Sequence, residues 1–151
     1  MAIRVQSADF DVGAELERLT AGNHAAGAVA SFVGLVRNPA GETPLAALTL
    51  EHYPGMTERQ LGALEAAARR RWPLEAVLII HRVGRLLPGE RIVLVATASR
   101  HREAAFAACQ FLIDGLKTRA PFWKQEETTA GSRWLEARDE DHRAAARWDP
   151  A

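Results

Sequence analysis

Ile92-Val93-Leu94-Val95-Ala96-Thr97-Ala98 is an apolar run rich in β-branched residues, and the stretch that begins at Arg102 changes period at once. There Ala105, Phe106, Cys109, Leu112, Ile113 and Leu116 recur at three- and four-residue steps, one face of a helix over Arg102 to Thr118. A strand that feeds a long amphipathic helix this directly sets the class as α with β. Upstream, Val77 to Val83 is a second apolar strand, joined to Ile92–Ala98 by Gly84 to Glu90, in which Pro88-Gly89 is a strong turn signal. Working outward, Met56 to Trp72 reads as a helix with a capping box in Thr57 and Gln60 and an abrupt stop at Pro73. Ala28 to Val36 and Leu45 to Tyr53 read as strands on either side of a mobile loop, Asn38 to Pro44, built from proline, asparagine and glycine. Phe10 to Leu19 reads as a short helix started by Asp9 or Asp11. Phe122 to Glu127 and Arg133 to Glu136 form a last hairpin before a charged, alanine-rich tail. The order predicts one α+β domain over residues 1–151, with a mainly antiparallel sheet and flanking helices; two strand-helix-strand stretches leave room for parallel neighbours.

Composition narrows the function classes. The 48% hydrophobic and 25% charged content of 151 residues is that of a soluble domain with a real core. Nineteen basic side chains balance nineteen acidic ones, so no global field recruits nucleic acid or an anionic membrane, and any anion must be met by a local cluster. No apolar run approaches the roughly twenty residues of a membrane span, and the N-terminus lacks a signal-peptide core, which predicts a cytoplasmic protein. The lone Cys109 excludes an internal disulfide and sits on the apolar helical stripe, where it reads as a small core residue.

Two clusters stand out against these rules. Leu116-Lys117-Thr118-Arg119-Ala120-Pro121-Phe122-Trp123-Lys124-Gln125-Glu126 sets two lysines on either side of a proline-aromatic corner. Lys117 follows Ile113 by four residues and Phe106 by eleven, close to three turns, so the spacing places it along the edge of the apolar stripe and partly desolvated. Desolvation lowers a lysine's pKa and makes it usable as a base or nucleophile. On helix position alone the commoner outcome is a solvated lysine that complements the helix dipole. The second cluster, Ser99-Arg100-His101-Arg102, crowds cations at the positive end of the helix with only Glu103 to offset them. That arrangement suits a bound phosphate or carboxylate, although any single arginine is more often simply solvated. Arg37, at the end of a strand, has the reach to enter a pocket, while strand-terminal arginines are usually just solvated. His52 and His81 lack partners at metal-ligand spacing and read as satisfied structural histidines, so no metal is expected. Trp123 has the shape to wall a flat ligand, although tryptophans more often pack a core or an interface. Neither a phosphate-binding glycine loop nor a nucleotide fingerprint is present, and no cofactor is expected.

Leu48-Thr49-Leu50-Glu51-His52-Tyr53-Pro54-Gly55-Met56-Thr57, His81-Arg82-Val83-Gly84, His101-Arg102 with Phe106, and Leu116 to Lys124 resemble, in the same order, motifs of the large, catalytic subunit of molybdopterin synthase. The likeness runs from about Phe10 to Trp148. It implies the α/β hammerhead fold and a homodimer at the centre of a heterotetramer, with a small ubiquitin-like sulfur-carrier subunit at each end. The carrier's C-terminal Gly-Gly, activated as a thiocarboxylate, would donate sulfur to cyclic pyranopterin monophosphate to build the dithiolene of molybdopterin. On this likeness Lys117 matches the catalytic lysine and Lys124 a second active-site lysine. Arg37, His101 and Arg102 match substrate-binding positions. Gln125 stands where a basic residue is expected in many relatives, Glu126 fits the pattern, and Arg138 in the tail matches a further site position. Two other readings remain: a non-catalytic module that docks a ubiquitin-like tail, and a partner-free phosphate-ester enzyme using His101, for which neither metal nor nucleophile is evident.

Overall fold

The computed structural model describes residues 2–38, 44–135 and 139–149. In chain order the elements are β1 (Ile3–Gln6), α1 (Val12–Thr20), β2 (Ala28–Leu35), β3 (Leu45–His52), α2 (Met56–Arg71), β4 (Leu74–Arg82), β5 (Gly84–Leu86), β6 (Arg91–Ser99), α3 (Arg102–Thr118), β7 (Phe122–Thr128), β8 (Gly131–Leu135) and α4 (Asp139–Ala146). They build two four-stranded sheets, one in the order β1-β4-β6-β2 and the other β5-β3-β7-β8. Among the described residues only β1 beside β4 is parallel; the other strand pairs are antiparallel.

The first sheet is covered on both faces, which is why β4 and β6 are apolar nearly throughout. On one face Val77, Ile79, Val93 and Val95 meet Leu61, Leu64 and Ala68 of α2 and Ala105, Cys109, Leu112 and Leu116 of α3. On the other, Leu78, Ile80, Leu94 and Ala96 meet Phe10 and the α1 residues Val12, Leu16 and Leu19. Each fully buried leucine or isoleucine contributes about 1.5–3 kcal/mol. Cys109 belongs to this core: its thiol lies 3.8 Å from the Val95 carbonyl, and burial pushes it up to about 11.

Two glycines hold the frame at places where a side chain would be strained. At Gly84 the chain leaves the first sheet for the second with φ of 96°, a conformation that favours glycine. At Gly27 an added Cβ would stand 2.3 Å from the Arg100 carbonyl oxygen, so the start of β2 can lie against the entrance to α3 only without a side chain.

Besides β1, which the sequence reading lacked, three details differ from it. The start of α2 is not a box of Thr57 and Gln60: Gly55 is the cap, its N–H donates to Glu58 at 2.6 Å, and Thr57 is buried one turn in with its hydroxyl donating to the Tyr53 carbonyl at 2.8 Å. The segment Gly84 to Glu90 is more than a turn, because Gly84–Leu86 pairs with Leu48–Leu50 as β5. The tail carries α4 and ends on an anchor: the Trp148 indole donates to the buried Asp114 carboxylate at 2.6 Å and packs edge-on against Trp72 and Phe111. Within the expected loop, 39–43 lie outside the described residues, as does Glu136 of the expected hairpin. Among the described residues no helix is long and apolar enough to cross a membrane.

Candidate active site

The geometry follows from the direction of α3. Strand β6 ends at Ser99, and α3 turns straight back across the sheet, so its C-terminal end lies over the opposite end of β6. That is where β4 ends, since His81 stands opposite Val93. Strand alternation turns His81 to the same face as Val77 and Ile79, the face covered by α2 and α3.

At this end the corner after α3 folds over His81. Pro121 turns the chain, and the Phe122 ring stacks on the imidazole with centroids 3.7 Å apart and planes 13° apart. Lys117 precedes that ring by five residues and Lys124 follows it by two, on β7 of the other sheet. His52, opposite Phe122 on β3, approaches the same ring at 6.4 Å, and its Nδ1 lies 3.1 Å from the Thr57 hydroxyl. The His81 Nδ1–H donates to the Arg82 carbonyl at 2.8 Å, which fixes the tautomer because a carbonyl only accepts. Burial pushes His81 down to about 4; the Arg82 carbonyl opposes this, and the positive charges of Lys124, Lys117 and His52 add to it. The imidazole is therefore neutral at neutral pH and sits within the field of both lysines.

The other predicted residues divide by place. Glu126 alternates to the same face of β7 as Lys124, 3.6 Å from Arg133. Gln125 alternates to the opposite face, between Thr49 and Trp134, so the chain does not bring it to the lysines. Arg37 lies just past β2, where Val36 donates to the Glu90 carbonyl, and so shares the His81 end of the first sheet. His101 and Arg102 do not. A helix of 17 residues at about 1.5 Å per residue puts them about 25 Å from Lys117, at the far end of the sheet where Ala28 pairs with Ser99. Both are exposed, and His101 caps α3 without a side-chain hydrogen bond to it. Arg138 lies outside the described residues.

Lys117 is exposed, the solvated outcome that helix position alone favours, so the single chain does not supply the desolvation that its place along the apolar stripe would give. The buried side of α3 is set by Ala105, Ala108, Cys109, Leu112 and Leu116, whereas Phe106, 66% exposed, and Lys117 share a flank turned away from the sheet. His81 is the residue the sequence understated. Reading it as a satisfied histidine was sound as far as its Nδ1 goes; its place between the lysines depends on a stack with a residue distant in sequence.

The profile of the MoaE protein family matches residues 5–119. The chain belongs to the MoaE family. Within the family, it is 56% identical over 149 residues to the molybdopterin synthase catalytic subunit of Pseudomonas aeruginosa, covering 99% of both chains. It is also 56% identical over 146 residues to the protein of that name from Ralstonia nicotianae, covering 97% of this chain and 83% of the relative. The solved molybdopterin biosynthesis MoaE protein of Burkholderia ambifaria superposes with a TM-score of 0.85 at 54% identity over the whole of both chains. The two sheets and flanking helices are thus the MoaE fold.

Proposed function

We propose that this MoaE-family chain is the catalytic subunit of a cytoplasmic molybdopterin synthase. It transfers sulfur from the C-terminal Gly-Gly thiocarboxylate of a small ubiquitin-like carrier to cyclic pyranopterin monophosphate, forming the dithiolene of molybdopterin. The observation that carries the reading is that Lys117, from the end of a helix on one sheet, and Lys124, from a strand of the other, both act on one neutral, buried histidine, His81, stacked on Phe122 between them in the chain.

The residues divide the work by their chemistry. Lys117 is the general acid/base or transient covalent partner of the acyl group, and a carrier tail laid over the exposed flank of α3 would supply the desolvation that the single chain does not. Lys124 offers a cation to the carrier's terminal carboxyl group or to charge developing as sulfur leaves. Arg37, His101, Arg102 and Arg138 are assigned to the phosphate and the polar pterin, with Glu126 on the Lys124 face of β7; Gln125, on the opposite face, is assigned no contact with the lysines. The buried, proton-holding Cys109 has no part in carrying sulfur, which arrives on the partner.

The separation of about 25 Å that the length of α3 puts between His101 and Lys117 supports a homodimer at the centre of the assembly. Cyclic pyranopterin monophosphate is far shorter than that span, so a site using both residues takes them from two copies related by a two-fold axis.

The test is anaerobic reconstitution of this protein with a thiocarboxylated carrier and cyclic pyranopterin monophosphate, following product as its fluorescent oxidised pterin. Product that requires all three components is expected. A folded protein that binds the carrier and yields no product would leave a docking module instead.

A further inference from the structure

We propose that His81 is a positioning residue for sulfur transfer: by stacking on Phe122 it fixes where Lys124 stands relative to Lys117. The inference rests on the reading of these two lysines as the reactive pair, and it assigns His81 a task beyond filling the core.

The two lysines belong to different parts of the frame. Lys117 is carried by α3, which packs on the first sheet, whereas Lys124 lies on β7, hydrogen-bonded into the second. Between them run only Thr118 to Trp123, and Phe122 is the ring in that segment that reaches back to the first sheet. A flat ring 3.7 Å from the imidazole at 13° resists both sliding and tilting, because either motion forfeits close atom contacts over the whole face. Two residues farther along, Lys124 inherits that placement.

Histidine suits this position better than an aliphatic residue. Its Nδ1–H bond to the Arg82 carbonyl locks the ring plane to the backbone of β4. Arg82 is itself pinned, donating to the Ser7 carbonyl through Nε at 3.1 Å and Nη2 at 3.0 Å and to the Arg91 carbonyl at 2.9 Å, so the plane against which Phe122 stacks is referred to a rigid corner. The imidazole does this without adding charge between two lysines, since burial keeps it neutral. His52, opposite Phe122 on β3, approaches the same ring at 6.4 Å.

The test compares His81→Leu, which keeps apolar volume but removes the plane and the hydrogen bond, with His81→Phe, which keeps a flat ring. Carrier affinity and single-turnover sulfur transfer are measured for both, together with Phe122→Leu and the double variant His81→Leu/Phe122→Leu. The expected result is a fall in the transfer rate on the order of 10–100-fold for His81→Leu, with carrier affinity and substrate KM unchanged. His81→Phe should recover most of the loss, and the double variant should be no slower than the worse single one. A His81→Leu rate equal to wild type, or losses that multiply in the double variant, would overturn the proposal.

A second readout needs neither carrier nor turnover: acylation of Lys117 and Lys124 by a small amine-reactive ester, resolved by peptide mass spectrometry. His81→Leu should change Lys124 labelling several-fold while circular dichroism remains that of the wild type; unchanged labelling of Lys124 counts against positioning. If the wild type shows no sulfur transfer while Lys124 labelling still depends on His81, the synthase reading fails and the positioning stands.

Discussion

The two ends of α3 are built to opposite plans. At the C-terminal end the helix is anchored by Trp148 on Asp114 and by Leu116 in the core, and the chain then folds Phe122 over His81, so that parts of both sheets converge around Lys117 and Lys124. At the N-terminal end Arg100, His101 and Arg102 are exposed, and none makes an ion pair or side-chain hydrogen bond among the described residues. One end holds a pair of lysines beside a fixed corner; the other presents arginines on an open helix start with only Glu103 in the first turn to offset them. The difference teaches that the two clusters the sequence singled out lie at opposite ends of one helix, so a site using both needs more than a single copy of the chain.

The largest effect expected is at the anchored end. Lys117→Ala should fold and bind the carrier but lose about 10²–10⁴-fold in single-turnover sulfur transfer, the range of a removed acid/base. A retained rate would strip that end of its chemistry.

Next is the pH dependence of stability that His81 confers. Its folded-state pKa, about 4, lies below the ordinary 6.5, so the unfolded chain takes up this proton first as pH falls. The contribution is fully present above about pH 6.5 and lost as pH drops toward 4, amounting to about 3 kcal/mol. Urea unfolding at pH 7 and at pH 4.5, wild type against His81→Phe, reads it as the part of the acid loss that disappears in the variant; equal losses would mean the imidazole is not held neutral.

At the open end, Arg102→Ala should weaken substrate binding about 10–100-fold, the weight of one or two charge-assisted hydrogen bonds, with carrier affinity unchanged. A selective loss of carrier affinity would turn the N-terminal end into a docking surface instead. The smallest effect is expected from Gly27→Ala. Its Cβ would push on the Arg100 carbonyl, costing about 1–2 kcal/mol of stability in urea and raising the substrate KM, while lysine labelling at the other end stays as in wild type.

Much of this was legible in the sequence, for reasons the structure makes specific. β4, β6 and α3 announced themselves because both faces of the first sheet are covered, so their apolar runs are nearly unbroken, and because α3 keeps a clean helical period. β1 and β5 did not: β1 has only four residues, and β5 exists because Gly84 to Leu86 happens to meet Leu48 to Leu50, a pairing no local pattern encodes. The lysines were legible as a motif, and helix position already favoured a solvated Lys117; the stripe alone left its flank open, because apolar residues at three- and four-residue steps do not say which side the sheet will cover. Phe106 shows the same ambiguity from the apolar side. His81 was visible only as a histidine on an apolar strand; its stack on Phe122 is purely tertiary.

The central claim, that a working site joins the two ends of α3 from different copies, is tested most directly by complementation. Lys117→Ala and Arg102→Ala chains carrying different affinity tags are coexpressed, and the mixed dimer is purified through both tags and assayed by single-turnover sulfur transfer. If each site takes its lysines from one copy and its arginine from the other, the mixed dimer has one doubly damaged site and one intact site, and its activity should be about half that of wild type. Activity no higher than that of the two single variants would place Lys117 and Arg102 of the same chain in one site and contradict the account.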